Sequence, residues 1–326
     1  MTWARSWLAL SFRLNRWDVL ASVAGTVLLV AAMLWFTWQL RALAATDPGC
    51  LDPTTYVAAC EQTSQPFYEL SSQAELISYL GWAAPFGMGL VLGIPLVSRE
   101  IEQRTAGVAW TLSQSRARWL AGRVAFAALV MILLLLVVAI AGEVLASAQM
   151  PTRHLDEDFA WYGRRGGLIV VRGLAALGIG VLLGAMLGRV LPALLLAGFA
   201  SVLIFTTISF GMDRWTETDA VVGAYDEDLA GGRYLGQRVE LPSGELIEYG
   251  ELQRRGLSAE WFQDDMIFAR EEDVGHPERM IGRNRELILP GRLYPQIVLR
   301  ESAVVGGTAV LLALAAAAVV GRRRPG

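Results

Sequence analysis

Six apolar stretches constrain this chain more than any other feature: residues 19–38, 76–97, 124–148, 167–188, 190–212 and 302–320. Each approaches or exceeds the ~20 helical residues that cross a hydrocarbon core of about 30 Å at about 1.5 Å per residue. Each is therefore read as a transmembrane helix. Hydrophobic residues make up 54% of the chain, so the length of 326 counts spans rather than soluble domains. The fourth and fifth runs are separated by little more than Arg189 and are expected to form a tight helical hairpin, with Pro192 suited to the first turn of the fifth helix. Gly180, Gly184 and Gly188 recur every fourth residue on the fourth run, a small-residue face that allows close helix packing.

Arginine placement orients the spans. Arg5, Arg13 and Arg16 precede the first run; Arg99, Arg104, Arg116, Arg118 and Arg123 lie between the second and third; Arg189 separates the fourth and fifth; Arg322, Arg323 and Arg324 follow the sixth. With six crossings all of these fall on one side, which predicts a plasma-membrane protein with both termini cytoplasmic. The segment 149–166 is the exception, holding Arg153, Arg164 and Arg165 beside Asp156, Glu157 and Asp158. Residues 1–18 are not a signal peptide, because Trp3, Trp7, Leu10, Leu14 and Trp17 are spaced along one helical face with Arg5, Arg13 and Arg16 roughly opposite. That pattern predicts an amphipathic helix lying in the lipid headgroup region.

Two longer polar segments fall on the opposite side. Residues 41–75 carry Cys50 and Cys60, the only cysteines; an oxidising compartment makes a disulfide the leading expectation, with two free thiols the other reading. Residues 213–299 are acidic and predict a small extracytoplasmic domain. Within it, 233–252 alternates around Pro242-Ser243-Gly244 as a β-hairpin does, and 257–270 reads as a helix with an apolar face. The acidic clusters lack calcium-loop spacing and read as solvated surface. Glu143, Arg172, Arg300 and Glu301 fall near the outer ends of their spans, where snorkelling or local pairing accounts for them. The expected fold is thus an all-α polytopic membrane protein of six transmembrane helices, with an interfacial helix over 1–18, five spans within 19–212, an α+β domain over 213–299, and the last span with a basic tail over 300–326.

All 28 basic residues are Arg. Coding bias explains the usage, yet it has a chemical consequence: a Walker A site needs a Lys to reach the β- and γ-phosphates, so this chain has no ordinary nucleotide site of that kind. Two His, His154 and His276, are too few and too separated for a zinc site. No span carries a paired His, Ser-Lys or Asp-Asp constellation, so an intramembrane enzyme is the weakest reading.

The polar segment 97–123, VSREIEQRTAGVAWTLSQSRARWLAGR, lies between the second and third runs. An ordinary topology-setting loop needs its arginines but not Glu100 and Glu102. The run RExExxT at 99–105, followed by AWTLSQSRARWL at 109–120, resembles the first cytoplasmic loop of ABC type-2 exporter permeases, especially an actinobacterial group with a similar pattern. The amphipathic N-terminus, GAMLGRVLPALLLAG at 184–198 and RLYPQIVLRES at 292–302 agree with that family. The resemblance implies a permease that pairs with a second permease, homo- or heterodimeric, and docks on a separate ATP-binding cassette subunit. ATP and Mg would be bound by that partner and no cofactor by this chain. Glu100, Glu102 and Thr105 match the loop motif, so the helix around them would be a coupling helix. Arg104, Trp110, Arg116 and Arg118 would complete the ATPase-docking element within 98–123. The expected partners are then the ATPase, the second permease and membrane lipids, with no nucleic acid. A hydrophobic or amphipathic substrate, lipid-like, peptide or drug, suits the apolar spans. The competing reading is a membrane-anchored sensor or scaffold whose extracytoplasmic domain binds a ligand.

Overall fold

The computed structural model describes residues 12–13, 15–46, 61–105, 115–223, 231–257, 261–263 and 265–322. Cys50, Cys60, Trp110, the acidic run 226–228, Arg323, Arg324 and most of 1–18 lie outside the described residues. The helices are α1 Arg16–Ala44, α2 Glu61–Gly93, α3 Pro95–Glu102, α4 Arg116–Gln149, α5 Leu168–Leu187, α6 Val190–Thr216, α7 Tyr249–Arg254 and α8 Tyr294–Arg322. The strands are β1 Val221–Gly223, β2 Arg233–Glu240, β3 Leu246–Ile247, β4 Trp261–Gln263, β5 Met266–Phe268 and β6 Gly282–Leu289. Two compact units result, one of Met1–Arg153, Trp161–Ile208 and Val298–Gly326, the other of His154–Ala160 and Ser209–Ile297.

The first unit is helical. Among the described residues, six helical stretches are long and apolar enough to cross a membrane: Arg16–Ala44, Ser64–Glu102, Arg116–Gln149, Leu168–Leu187, Val190–Asp219 and Gly291–Arg322. In such surroundings backbone groups must be satisfied within the helix, and hydroxyls do the same by bonding back one turn. Thr37 Oγ1 donates to Met33 O at 2.8 Å, and Ser201 Oγ to Ala197 O at 2.7 Å. The second stretch contains both α2 and α3. Pro95 has no N–H to donate to Val91, so the ladder is interrupted at Ile94 and restarts as α3.

Glycines set the closest packing. A Cβ on Gly89 or Gly93 of α2 would sit 2.7 Å from Leu177 N and 2.8 Å from Leu177 O of α5. A Cβ on Gly184 would sit 2.7 Å from Ile94 O, and one on Gly180 3.2 Å from Ile94 N. Of the three regularly spaced glycines, Gly180 and Gly184 thus admit the α2–α3 junction. Gly188 does a different job: at φ +65° it ends α5 in the left-handed conformation, its N–H bonding Gly184 O at 3.0 Å. Only Arg189 then precedes α6, with Pro192 inside its first turn. Around these contacts Leu92, Leu96, Leu120, Met131, Leu135 and Leu177 form one apolar core, and Met33, Leu40, Phe67, Val138 and Leu145 another.

The second unit is built on an antiparallel sheet with β6 at its centre. β2 pairs along most of β6, while β5 and β1 pair with successive parts of it: Met266 opposite Arg283, and Val222 opposite Leu287. The expected hairpin is present. Val239 faces Ile247, and Gly244, at φ +82°, donates its N–H to Leu241 O at 2.8 Å to close the Pro242-Ser243 turn. Its second strand is shorter than expected, since 249–254 is helical. Tyr249 and Leu252, three residues apart, pack with Val239, Ile247 and Ile267, a helical spacing that alternation over 233–252 concealed.

The helix expected over 257–270 is corrected to a second hairpin, with Trp261 opposite Phe268 and Phe262 opposite Ile267. Ile267 and Phe268 are both fully buried, and Ile267 also pairs with Gly282 of β6. Three consecutive apolar residues beside an open strand edge gain more as β-structure than on one face of a short helix. His154–Ala160 also belongs to this unit: Phe159 N–H donates to Gly231 O at 2.9 Å, and the Phe159 and Tyr294 rings meet edge to face at 5.5 Å.

Replacing Gly184 with Ala should cost about 1–3 kcal/mol, because backbone rather than a flexible side chain meets the new methyl. Gly198→Ala, where nothing lies within 4 Å, should be neutral or stabilising by up to about 1 kcal/mol. Thermal unfolding of both variants in detergent checks the contrast.

Candidate functional site

The helix α3 and the two chain ends that flank the connection 106–114 form a polar site in the helical unit. Leu96, Val97 and Ser98 are buried, anchoring its first turn. The charged residues that follow turn to three different helices. Arg99 makes a two-pronged contact with Asp18 of α1, at 3.1 and 3.3 Å. Glu100 pairs with Arg123 of α4, whose guanidinium also donates to Leu96 O at 2.9 Å and lies 4.9 Å above the Trp119 ring. Glu102 accepts the N–H of Val190, the first residue of α6, at 3.2 Å. The carboxylate there meets an N–H with no partner inside its own helix and the positive end of the helix dipole.

The end of α3 is a Schellman turn. Thr105 N–H reaches back to Glu100 O at 2.9 Å and Arg104 N–H to Ile101 O at 3.1 Å. This places Arg104 at φ +59°, a left-handed conformation that costs a non-glycine residue about 1–2 kcal/mol. Across the connection, Ser115 caps α4 by accepting the Arg118 N–H at 3.1 Å. Arg116 donates to Gly321 O near the end of α8 at 3.5 Å, while Arg104, Thr105 and Arg118 are exposed. Of the docking residues suggested by sequence, therefore, Glu100 points inward, Glu102 caps a neighbouring helix, and Arg104, Thr105 and Arg118 face outward. Arg99 and Arg123 enter the sequence reading only as topology markers, and Asp18 does not enter it. Their one sequence signal was opposite charge at the ends of different spans, which does not name partners.

A second polar cluster joins α5, α8 and the turn before α5. Arg172 is buried and contacts Glu301 through Nε at 3.1 Å and Nη2 at 2.6 Å, while its Nη1 donates to Gly163 O at 2.9 Å. Tyr162 completes it by donating its hydroxyl to Glu301 at 2.6 Å. Nearby, Arg165 pairs with Glu143 at 3.0 Å, and Arg164 pairs with Glu75 at 3.1 Å while stacking 3.7 Å from the Tyr79 ring centre. These charges satisfy one another. Elsewhere in the unit α1 and α2 enclose an apolar groove of about 530 Å³, bordered by Gly25, Thr26, Leu29, Leu80, Met88 and Val91 among others. The Thr26 hydroxyl is buried there without a hydrogen-bond partner.

Residues 23–213, more than half the chain and including the whole of α3 and its contacts on α4 and α6, match the family model described as ABC-2 membrane transporter related. The chain belongs to that family. This ABC-2 related protein is accordingly a multi-pass membrane transport component of the permease type. Comparison with curated proteins and with solved structures finds no match. Within the matched region of this ABC-2 related chain, RExExxT runs from the last turn of α3, at the end of the second apolar stretch, into the turn that closes it.

Arg172→Ala should destabilise the protein by about 3–5 kcal/mol, since it leaves the Glu301 carboxylate buried without its cation. Arg104→Gly should instead stabilise it by up to about 1 kcal/mol through relief of the left-handed residue. Unfolding midpoints in detergent distinguish the two signs.

Proposed function

We propose that this chain is the permease subunit of an ABC exporter, driven by a separate ATPase that docks on the connection between α3 and α4. The observation that carries the reading is α3 itself: a short helix within the ABC-2 match, bonded to α1, α4 and α6, so that a push on it reaches three spans. The family implies an ABC ATPase partner, and the absence of Lys keeps a Walker A site out of this chain. ATP and Mg are bound by the partner. Closure of the ATPase pair moves the docked connections of two permeases, and the spans shift between inward- and outward-open states.

The docking element comprises Arg104, Thr105 and Arg118 at the surface and Trp110 within the connection, supported by Glu100 and Glu102 of α3 and Arg116 of α4. Its resemblance to the actinobacterial loop pattern supports that assignment. Arginine placement supports a cytoplasmic connection, cytoplasmic termini and a headgroup-lying N-terminal helix. The sheet unit then lies outside. Its construction from the third-to-fourth and fifth-to-sixth connections supports this, because six crossings put both on one side. The same count of crossings puts Cys50 and Cys60 on that side, and an oxidising compartment supports a disulfide between them over two free thiols. The substrate is hydrophobic or amphipathic, in keeping with the apolar groove and the internally neutralised charges.

Coexpressed with an ABC ATPase subunit from the same genome, the tagged full-length chain should retain that subunit through detergent purification and alter its rate of ATP hydrolysis. Replacing 104–118 with a Gly/Ser linker should reduce the retained ATPase at least about tenfold, a loss of roughly 1.4 kcal/mol in binding. No ATPase retained by the wild-type chain, together with activity lost only on deletion of the sheet unit, would establish the sensor or scaffold instead.

A further inference from the structure

We infer that Glu100 is not a contact for the ATPase but the buried member of a three-way brace with Arg99 and Glu102, in which Glu100 and Arg123 hold the angle of α3 so that force applied to the exposed connection reaches the spans. The inference rests on the docking reading above and reassigns the work within it.

Direction is the first argument. Successive residues leave an α-helix about 100° apart, so Glu100 and Glu102 lie about 160° apart, on opposite sides of α3, with Arg99 about 60° from Glu102. Each of the three carries its own partner: Asp18 on α1 for Arg99, Arg123 on α4 for Glu100 and the Val190 N–H on α6 for Glu102. An acidic pair presented to another protein would instead share an open face.

Burial is the second. The Glu100 side chain is 16% exposed and that of Arg123 11%, and the second Glu100 carboxylate oxygen is buried. A partner protein would have to break this pair to use it, leaving an uncompensated buried charge.

Geometry is the third. Arg123 holds Glu100 and also the backbone carbonyl of Leu96, one turn earlier on α3. Two attachment points along one helix fix its rotation as well as its tilt, which a single ion pair does not. Glu102, though bonded to α6, is exposed, as are Gln103, Arg104, Thr105, Ser115 and Arg118, and these face the partner while Glu100 does not.

The test uses the full chain purified with its ATPase and reads three quantities: retained ATPase, permease-dependent change in ATP hydrolysis, and the gel-filtration profile. Glu100→Gln and Arg123→Lys should retain the ATPase at wild-type level yet lose about tenfold of the permease-dependent effect, within the usual range for a coupling interaction. The Lys variant keeps a charge but has no fork to span Glu100 and Leu96 O. The exchange Glu100→Arg with Arg123→Glu should recover the effect to within about threefold of wild type, because the pair faces inward and its polarity matters little to the partner. Should the exchange fail to run as a folded species, the two single variants decide. The brace is overturned if Glu100→Gln releases the ATPase, if both single variants keep full coupling, or if a folded exchange variant stays uncoupled. Failure of the wild-type chain to bind any ATPase strikes the docking reading instead. The brace is then read from unfolding midpoints of the single and double variants, where additive effects of Glu100→Gln and Arg123→Lys overturn it.

Discussion

At Ile94 two helices meet backbone to backbone. Gly180 and Gly184 offer no side chain there, and α5 comes close enough to touch the Ile94 peptide. Between membrane helices there is little hydrophobic driving force, since lipid is as apolar as the partner; close van der Waals approach supplies the attraction, and small residues permit it. Pro95 follows at once and removes a ladder bond, so the chain is free to restart at the spot where α5 holds it. Ser98 secures the restart, its N–H and hydroxyl both donating to Ile94 O, at 3.3 and 2.7 Å. The direction in which Arg99, Glu100 and Glu102 leave α3 is inherited from this junction.

The spans were legible because about 20 apolar residues in a row form a one-dimensional signal that no other environment explains as well. Gly180 and Gly184 were legible as a packing face for a similar reason, a strict repeat of four. Gly188 shares that repeat and not its use, because helix termination depends on where the next helix must start. In the sheet unit, Pro242-Ser243-Gly244 announced its turn through local backbone chemistry. The run 261–268 did not: five apolar residues fit either a helix face or two short strands, and the deciding fact was the open edge of β6, some 20 residues further along the chain.

The candidate site divides along the same line. That Glu100 and Glu102 were unusual in an arginine-rich loop could be read from charge alone. Which way they point could not, because Arg123 is set by the rotation of α4 and Asp18 by that of α1. Arg172 and Glu301 make the same point at larger separation. Arg172 is an isolated charge in an apolar run and Glu301 follows Arg300 at the start of another, yet the buried partner of each is the other, 129 residues away. Pairing inside a bundle is a property of helix rotations, and those emerge from packing rather than from any window of sequence.

The exclusive use of Arg bears on how these polar contacts are built. Arg123 serves a carboxylate and a carbonyl, Arg172 serves Glu301 and Gly163 O, and Arg99 grips both oxygens of Asp18. Each contact needs a planar fork with donors fixed in direction; a Lys ammonium is a compact, strongly hydrated charge that loses more on leaving water and aims its protons less well. Coding bias suffices to explain why the cations are Arg. Once they are, a single side chain can tie two elements together where a membrane bundle has few other polar links. The same choice of Arg over Lys that leaves the chain without a Walker A lysine gives α3 its firm seat on α1 and α4.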